Sequence, residues 1–304
     1  MRIVIALGGN AMTSSDGSAR PEDQARAVAE AAEPVADLVV AGHDVLLTHG
    51  NGPQVGNLLL KNELAASVVP PVPLDWCGAQ TQATIGALML SALDGALARR
   101  GSDRRSAALV SRTLVDAADP GFTAPTKPIG RYLPEDEARV LIEHGQHFVE
   151  VPDRGWRRVV ASPEPLECLD GPAADTLLAQ GYLVVCSGGG GIPTVRRSDG
   201  TLAGIEAVID KDLTASLIAR QTSADVLVIA TDARPIGEVS VAEMRAISRD
   251  QGFAAGSMGP KIEAVTRFAE QSGGTGIITS LTRIAQAIDG HIGTRVVPAV
   301  PAPR

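Results

Sequence analysis

The chain has 304 residues, of which 20% are charged and 44% hydrophobic, and its net charge is −8. This length supports a large α/β core, or a core with an inserted lobe, and the acidic balance without a Lys/Arg stripe argues against nucleic-acid binding. No apolar stretch reaches membrane-spanning length, no signal peptide precedes the first apolar run, and Cys77, Cys168 and Cys186 are too far apart for a zinc site or a disulfide framework, so a reducing cytoplasm is the expected compartment.

In chain order the pattern alternates strand and helix. Residues 2–7 form a short apolar strand that runs into Gly8-Gly9-Asn10. An alanine-rich helix is predicted over 21–41, with Pro21 suited to its first turn and Gly42 to its stop. A strand over 44–48 leads to His49-Gly50-Asn51-Gly52, and helices are predicted over 55–66 and 79–100. The Arg99, Arg100, Arg104, Arg105 cluster at that last helix end reads as solvated charge favoured by the helix dipole. Strands follow over 106–110 and 183–186, the second ending in Ser187-Gly188-Gly189-Gly190-Gly191. The remainder reads as a helix over 212–220, a strand over 226–230, a helix capped by the Ser240/Glu243 box, a helix over 258–271, a strand over 276–279, a further helix and a last strand over 294–297.

Such alternation implies one α/β domain over 1–304: an open, mostly parallel sheet sandwiched by helices, with ligands beyond the carboxyl ends of its strands. Aromatics make up only 3%, so alanine, valine, leucine and glycine must fill the core. Residues 113–165 break the rhythm, being rich in proline and charge, and read as an inserted small lobe with short strands over 149–151 and 158–160 and a helix over 134–144.

The chemistry is expected in the loops. Glycines at strand ends let backbone N–H groups approach a phosphate, and helix N-termini add their dipole. Gly8-Gly9-Asn10 fits either a plain turn or such a site; His49-Gly50-Asn51-Gly52 fits a tight Asn-Gly turn or a phosphate loop, with His49 read as a structural histidine rather than a base. The Ser187 to Gly191 run lies inside the folded pattern, which favours a backbone surface for a nucleotide or phosphate over a linker. Three lysines stand out: Lys127 in the lobe, Lys211 between Asp210 and Asp212 at a helix start, and Lys261 after Gly256-Ser257-Met258-Gly259-Pro260. Cations at helix N-termini are locally unfavourable, so a bound polyanion is expected there.

Val4-Ile5-Ala6-Leu7-Gly8-Gly9-Asn10-Ala11, Thr48-His49-Gly50-Asn51-Gly52-Pro53-Gln54, Pro125-Thr126-Lys127-Pro128-Ile129-Gly130, Gly188 to Pro193, Ala207-Val208-Ile209-Asp210-Lys211-Asp212 and Gly256 to Lys261 together resemble the carbamate kinases of the amino-acid kinase family. The resemblance implies a homodimer, ATP or ADP with Mg2+, and carbamate or carbamoyl phosphate as the other substrate. It implies that Lys127, Lys211 and Lys261 contact the phosphoryl groups, that Asp212 organises Lys211 and Lys261, and that Gly8, Gly9, Asn10, Gly50, Asn51 and Gly52 hold the substrate side. Ser187, Gly188, Gly189, Gly190, Thr231, Asp232, Ser257, Met258 and Gly259 fall on its nucleotide side. The inserted lobe is expected to act as a lid. Residues 231–237 run almost straight to the Ser240 cap where the family carries a longer nucleotide-side loop, so a weaker hold on the base is expected.

Overall fold

The structure is a computed structural model that describes residues 1–9, 20–251 and 258–298. Asn10 and Ser257 lie outside the described residues. The order is β1 (Arg2–Leu7), α1 (Pro21–Val40), β2 (Asp44–His49), α2 (Gly52–Ala65), α3 (Leu74–Arg99), β3 (Ser106–Ala108), β4 (Arg112–Leu114), β5 (Lys127–Leu133), α4 (Glu135–Glu143), β6 (His147–Val151) and β7 (Gly155–Val160). It continues with β8 (Glu167–Cys168), α5 (Gly171–Ala179), β9 (Leu183–Val185), β10 (Ile192–Arg196), β11 (Leu202–Gly204), α6 (Lys211–Gln221), β12 (Val226–Ala230) and β13 (Gly237–Ser240). The last elements are α7 (Val241–Gln251), α8 (Gly259–Ser272), β14 (Thr275–Thr279), α9 (Ile284–Ile288) and β15 (Thr294–Val297).

Eight strands form the main sheet in the order β13-β15-β14-β12-β1-β2-β9-β3, and every pairing in it is parallel except β14 with β15. Alternation along β1 explains the layering. Ile3, Ile5 and Leu7 pack on one face with α1, α3 and α9, while Val4 and Ala6 pack on the other with α5, α6 and α8. Both faces are apolar because both are covered, as buried parallel strands require.

Several predicted boundaries move for local reasons. Helix α3 starts at Leu74 rather than 79, because Gly78 is accommodated within the helix and Leu74 and Cys77 are buried. The Ser240 box is confirmed: Ser240 N donates to Glu243 Oε2 at 2.7 Å and Glu243 N donates to Ser240 Oγ at 3.2 Å. Arg99 and Arg100, read as solvated charge, lie at the surface and pair there with Glu33, and Arg100 also with Asp37, which links α3 to α1.

Residues 127–160 form a lobe with a three-stranded antiparallel sheet, β5-β7-β6, and α4 beside it. Strand β5 adds to the two short strands expected in this region; it carries Pro128 as an edge strand, where a missing N–H is tolerated. A second small sheet, β11-β10-β4-β8, joins the lobe's base to the core. Ile129 and Val160 of the lobe pack with Val55 and Leu59 of α2 and Leu74 and Cys77 of α3. The lobe is therefore anchored to α2 and α3 by a buried apolar cluster. Among the described residues no helix is long and apolar enough to cross a membrane.

Candidate active site

The carboxyl ends of β1, β2 and β9 bring three glycine segments together, and the N-termini of α2, α6 and α8 close around them. Helix α2 begins after Asn51 and α8 after Met258, and neither cap makes a side-chain hydrogen bond to the helix. The positive ends of both helix dipoles therefore point at this rim, where an anion would be favoured. A cavity of about 620 Å³ lies between this rim and the lobe, lined by Gly9, Gly50, Asn51, Gly52, Lys127, Gly189, Lys211, Asp212 and Lys261 among others.

At its floor sits a chain of charges. Asp212, 3% exposed, receives Lys211 Nζ on Oδ1 at 2.5 Å and Lys261 Nζ on Oδ2 at 2.9 Å. Lys127 Nζ reaches from β5 of the lobe to Asp210 Oδ2 at 2.9 Å. Three ammonium groups against two carboxylates leave an excess of positive charge at the rim, and the low-dielectric surroundings strengthen its pull on an anion. Two like charges, Lys211 and Lys261, are held together because Asp212 lies between them.

Asp210 was missing from the sequence-predicted set. It is the N-cap of α6, its Oδ1 accepting from Asp212 N at 2.9 Å and Leu213 N at 3.3 Å. Burial pushes its carboxyl up, but the Lys127 charge and hydrogen bond, with the two helix N–H groups, outweigh this and hold it below the usual carboxylate value. The signal was present: an aspartate directly before a helix is a strong cap.

The glycine segments are fixed by side chains that motif reading passed over. Gln82 of α3 donates to Ser111 O at 3.1 Å and Gly188 O at 3.0 Å, and accepts from Ser111 N at 2.7 Å. Thr113 and Thr214 donate to Gly190 O at 2.9 and 3.1 Å, and Thr48 to Ser187 O at 2.8 Å. Asn51 Nδ2 donates to Thr81 Oγ1 at 2.9 Å. His49 is buried; its Nδ1 donates to Gly50 O at 3.0 Å, and burial, helped by the Lys211 charge, lowers its pKa to about 4. It is a neutral structural histidine, as the sequence suggested.

The other candidates divide by position. Gly9, Gly50, Asn51, Gly52 and Gly189 line the cavity, whereas Gly8 lies against the end of β12, with Ala230 O 3.2 Å from where its Cβ would stand. Gly188 and Gly190 are buried behind Gly189. Ser187 is fully buried, its hydroxyl beside Cys168 Sγ at 3.3 Å and Cys186 Sγ at 3.7 Å, turned to the core. Thr231, whose N–H donates to Thr279 O at 2.7 Å, and exposed Asp232 follow β12; Met258 and Gly259 open α8 beside Lys261. Among the described residues there is no group of three or more His, Cys, Asp or Glu side chains able to hold a metal ion.

A sequence model of the Amino acid kinase family matches residues 1–280. The carbamate kinase of Thermococcus kodakarensis is 40% identical over 312 residues, spanning 97% of this chain and 99% of the relative. The carbamate kinase-like protein YahI of Escherichia coli is also 40% identical, over 97% of this chain and 98% of its own. Among solved structures, a carbamate kinase from Giardia lamblia bound to AMP-PNP superposes with a TM-score of 0.93 at 40% identity, covering 98% of each chain. The match to the Thermococcus protein runs over more residues than the 304 of this chain, so that relative carries residues with no counterpart here.

Proposed function

We propose, for a chain that belongs to the amino acid kinase family and within it to the carbamate kinases, that it moves a phosphoryl group reversibly between ATP and carbamate. The observation that carries this reading is the convergence of Lys127, Lys211 and Lys261 on one cleft, with Asp212 dividing its two oxygens between the last two.

In the direction that forms ATP, a terminal phosphate oxygen of ADP attacks the phosphorus of carbamoyl phosphate, and the bond from phosphorus to the carbamoyl oxygen breaks. Carbamate leaves as an anion and needs no proton, and the attacking phosphate is already anionic, so no general base is required. A buried, neutral His49 agrees with that. The three ammonium groups and the N-termini of α2 and α8 stabilise the charge spread over the transferring oxygens. Gly9, Gly50, Asn51 and Gly52 hold the carbamoyl side, and Thr231, Asp232, Met258 and Gly259 fall on the nucleotide side. Mg2+ would neutralise phosphate charge and arrive on the nucleotide's own phosphates, since Asp210 and Asp212 already serve the lysines.

The test is a coupled assay of ATP formation from carbamoyl phosphate and ADP. Saturable turnover dependent on both substrates is expected; its absence in a folded protein overturns the reading. We further read the enzyme as a cytoplasmic homodimer. Leu64, Val68, Val69 and Trp76, exposed around the junction of α2 and α3, offer apolar surface for a second copy to cover. Light scattering that gives a monomeric mass would overturn that part alone.

A further inference from the structure

The geometry points to Asp210 as a positioning residue that holds Lys127 of the lobe over the cleft, in register with the start of α6. This rests on the phosphoryl-transfer reading above and assigns to Asp210 a task separate from that of Asp212. Its two oxygens divide the work. Oδ1 caps α6 by accepting from Asp212 N and Leu213 N, and Oδ2 accepts from Lys127 Nζ at 2.9 Å. The side chain is only 14% exposed, whereas Lys127 is 35% exposed. The carboxylate is thus the rigid partner, and the long lysine is the part that would otherwise sample many rotamers. Lys127 and Asp210 are 83 residues apart, in the lobe and in the core respectively, so this ion pair fixes the lobe's charge relative to Lys211 and Asp212.

When a phosphoryl anion enters, Lys127 is already within the cavity and changes partner rather than conformation. Holding it there lowers the reorganisation needed at the moment of transfer. The same negative charge opposes ground-state binding of an anion, so loss of Asp210 affects turnover and binding differently.

Asp210→Asn separates the two tasks, because asparagine caps a helix as well as aspartate does but carries no charge for Lys127. The experiment compares wild type, Asp210→Asn, Lys127→Ala and the double variant, with the melting temperature as a control for folding. One readout does not depend on turnover: acylation of Lys127 by acetic anhydride, followed by peptide mass spectrometry, is expected to be several-fold faster in Asp210→Asn. In the ATP-forming assay, Asp210→Asn is expected to lower kcat about tenfold to hundredfold, with KM for carbamoyl phosphate unchanged or lower. The double variant is expected to be no slower than Lys127→Ala alone. Acylation at the wild-type rate overturns the proposal, as does an equal slowing by Asp210→Asn with and without Lys127. Should wild type form no ATP, the functional reading fails, and the acylation result by itself decides whether Asp210 positions Lys127.

Discussion

The amide of Asn51 occupies the space that a side chain on Gly189 would need: a Cβ there would stand 2.1 Å from Asn51 Nδ2. Gly189 also has φ +65°, a region that side-chain-bearing residues rarely adopt. The second and third glycine segments therefore interlock, and Asn51 is fixed from behind by Thr81. Gly189→Ala is predicted to destabilise the protein by about 1–3 kcal/mol and to raise KM for carbamoyl phosphate. Calorimetric unfolding and steady-state kinetics check both. A variant with wild-type KM would show that Asn51 does not depend on this contact.

Removing the charge between Lys211 and Lys261 leaves two ammonium groups facing each other without compensation. Asp212→Asn is predicted to lower kcat by roughly 10²–10³ while the fold persists, because α6 keeps its Asp210 cap. Lys211→Ala and Lys261→Ala are predicted to lose a similar factor. Near-normal turnover at saturating substrate in any of the three would remove that residue from the catalytic set.

His49 gives a pH signature in stability rather than in rate. Its pKa is about 4 in the folded protein against 6.5 for an unperturbed histidine. Between those values the unfolded chain binds the proton more readily. The contribution is therefore fully present above pH 6.5 and declines as the pH falls toward 4, by roughly 3 kcal/mol in all. His49→Gln is predicted to flatten the dependence of unfolding free energy on pH across this window, as measured by urea titration at pH 7.5 and pH 5. An unchanged slope would mean that His49 takes up a proton while folded.

The stretch after β12 bears on nucleotide choice. Residues 231–236 are tied at one end by Thr231 N to Thr279 O and at the other by Ile236 N to Thr294 Oγ1 at 2.9 Å, and β13 begins at Gly237. A segment so short and so fastened supplies few walls for a base, whereas the phosphate contacts do not depend on base identity. Weak ADP binding with poor rejection of GDP is predicted. Calorimetry with the two nucleotides decides it: tight ADP binding with strong discrimination would mean that another part of the molecule provides the wall.

Apolar packing ties the lobe to α2 and α3. Ile129 is 7% exposed and packs with Leu59 and Leu74. Ile129→Ala is predicted to cost about 2–4 kcal/mol in the region it joins and to speed hydrogen exchange in β5 ahead of the central sheet. Uniform exchange throughout the lobe and core would contradict an anchored lobe.

The sequence by itself determined the layered α/β class, the strand-end positions of the glycine segments, the Ser240 cap and the three lysines. Each is written in a short stretch: period-two or helical apolar patterning, a capping residue, a glycine where the chain must turn. Tertiary structure alone decided which charge meets the lobe's lysine. Lys127 finds Asp210 across 83 residues, a pairing that neither local pattern nor family resemblance suggests, whereas the meeting of Lys261 with Asp212 is implied by the resemblance. It also decided that Ser187 turns toward two thiols while Gly189 faces the cleft, and that Gln82, Thr113 and Thr214 fasten the glycine loop. Those pairings follow from the order and register of strands in the sheet and from how the lobe folds back on α2. They join residues whose local sequences carry no mark of one another, because a hydrogen bond between distant segments exists only once the packing of both faces has set their separation.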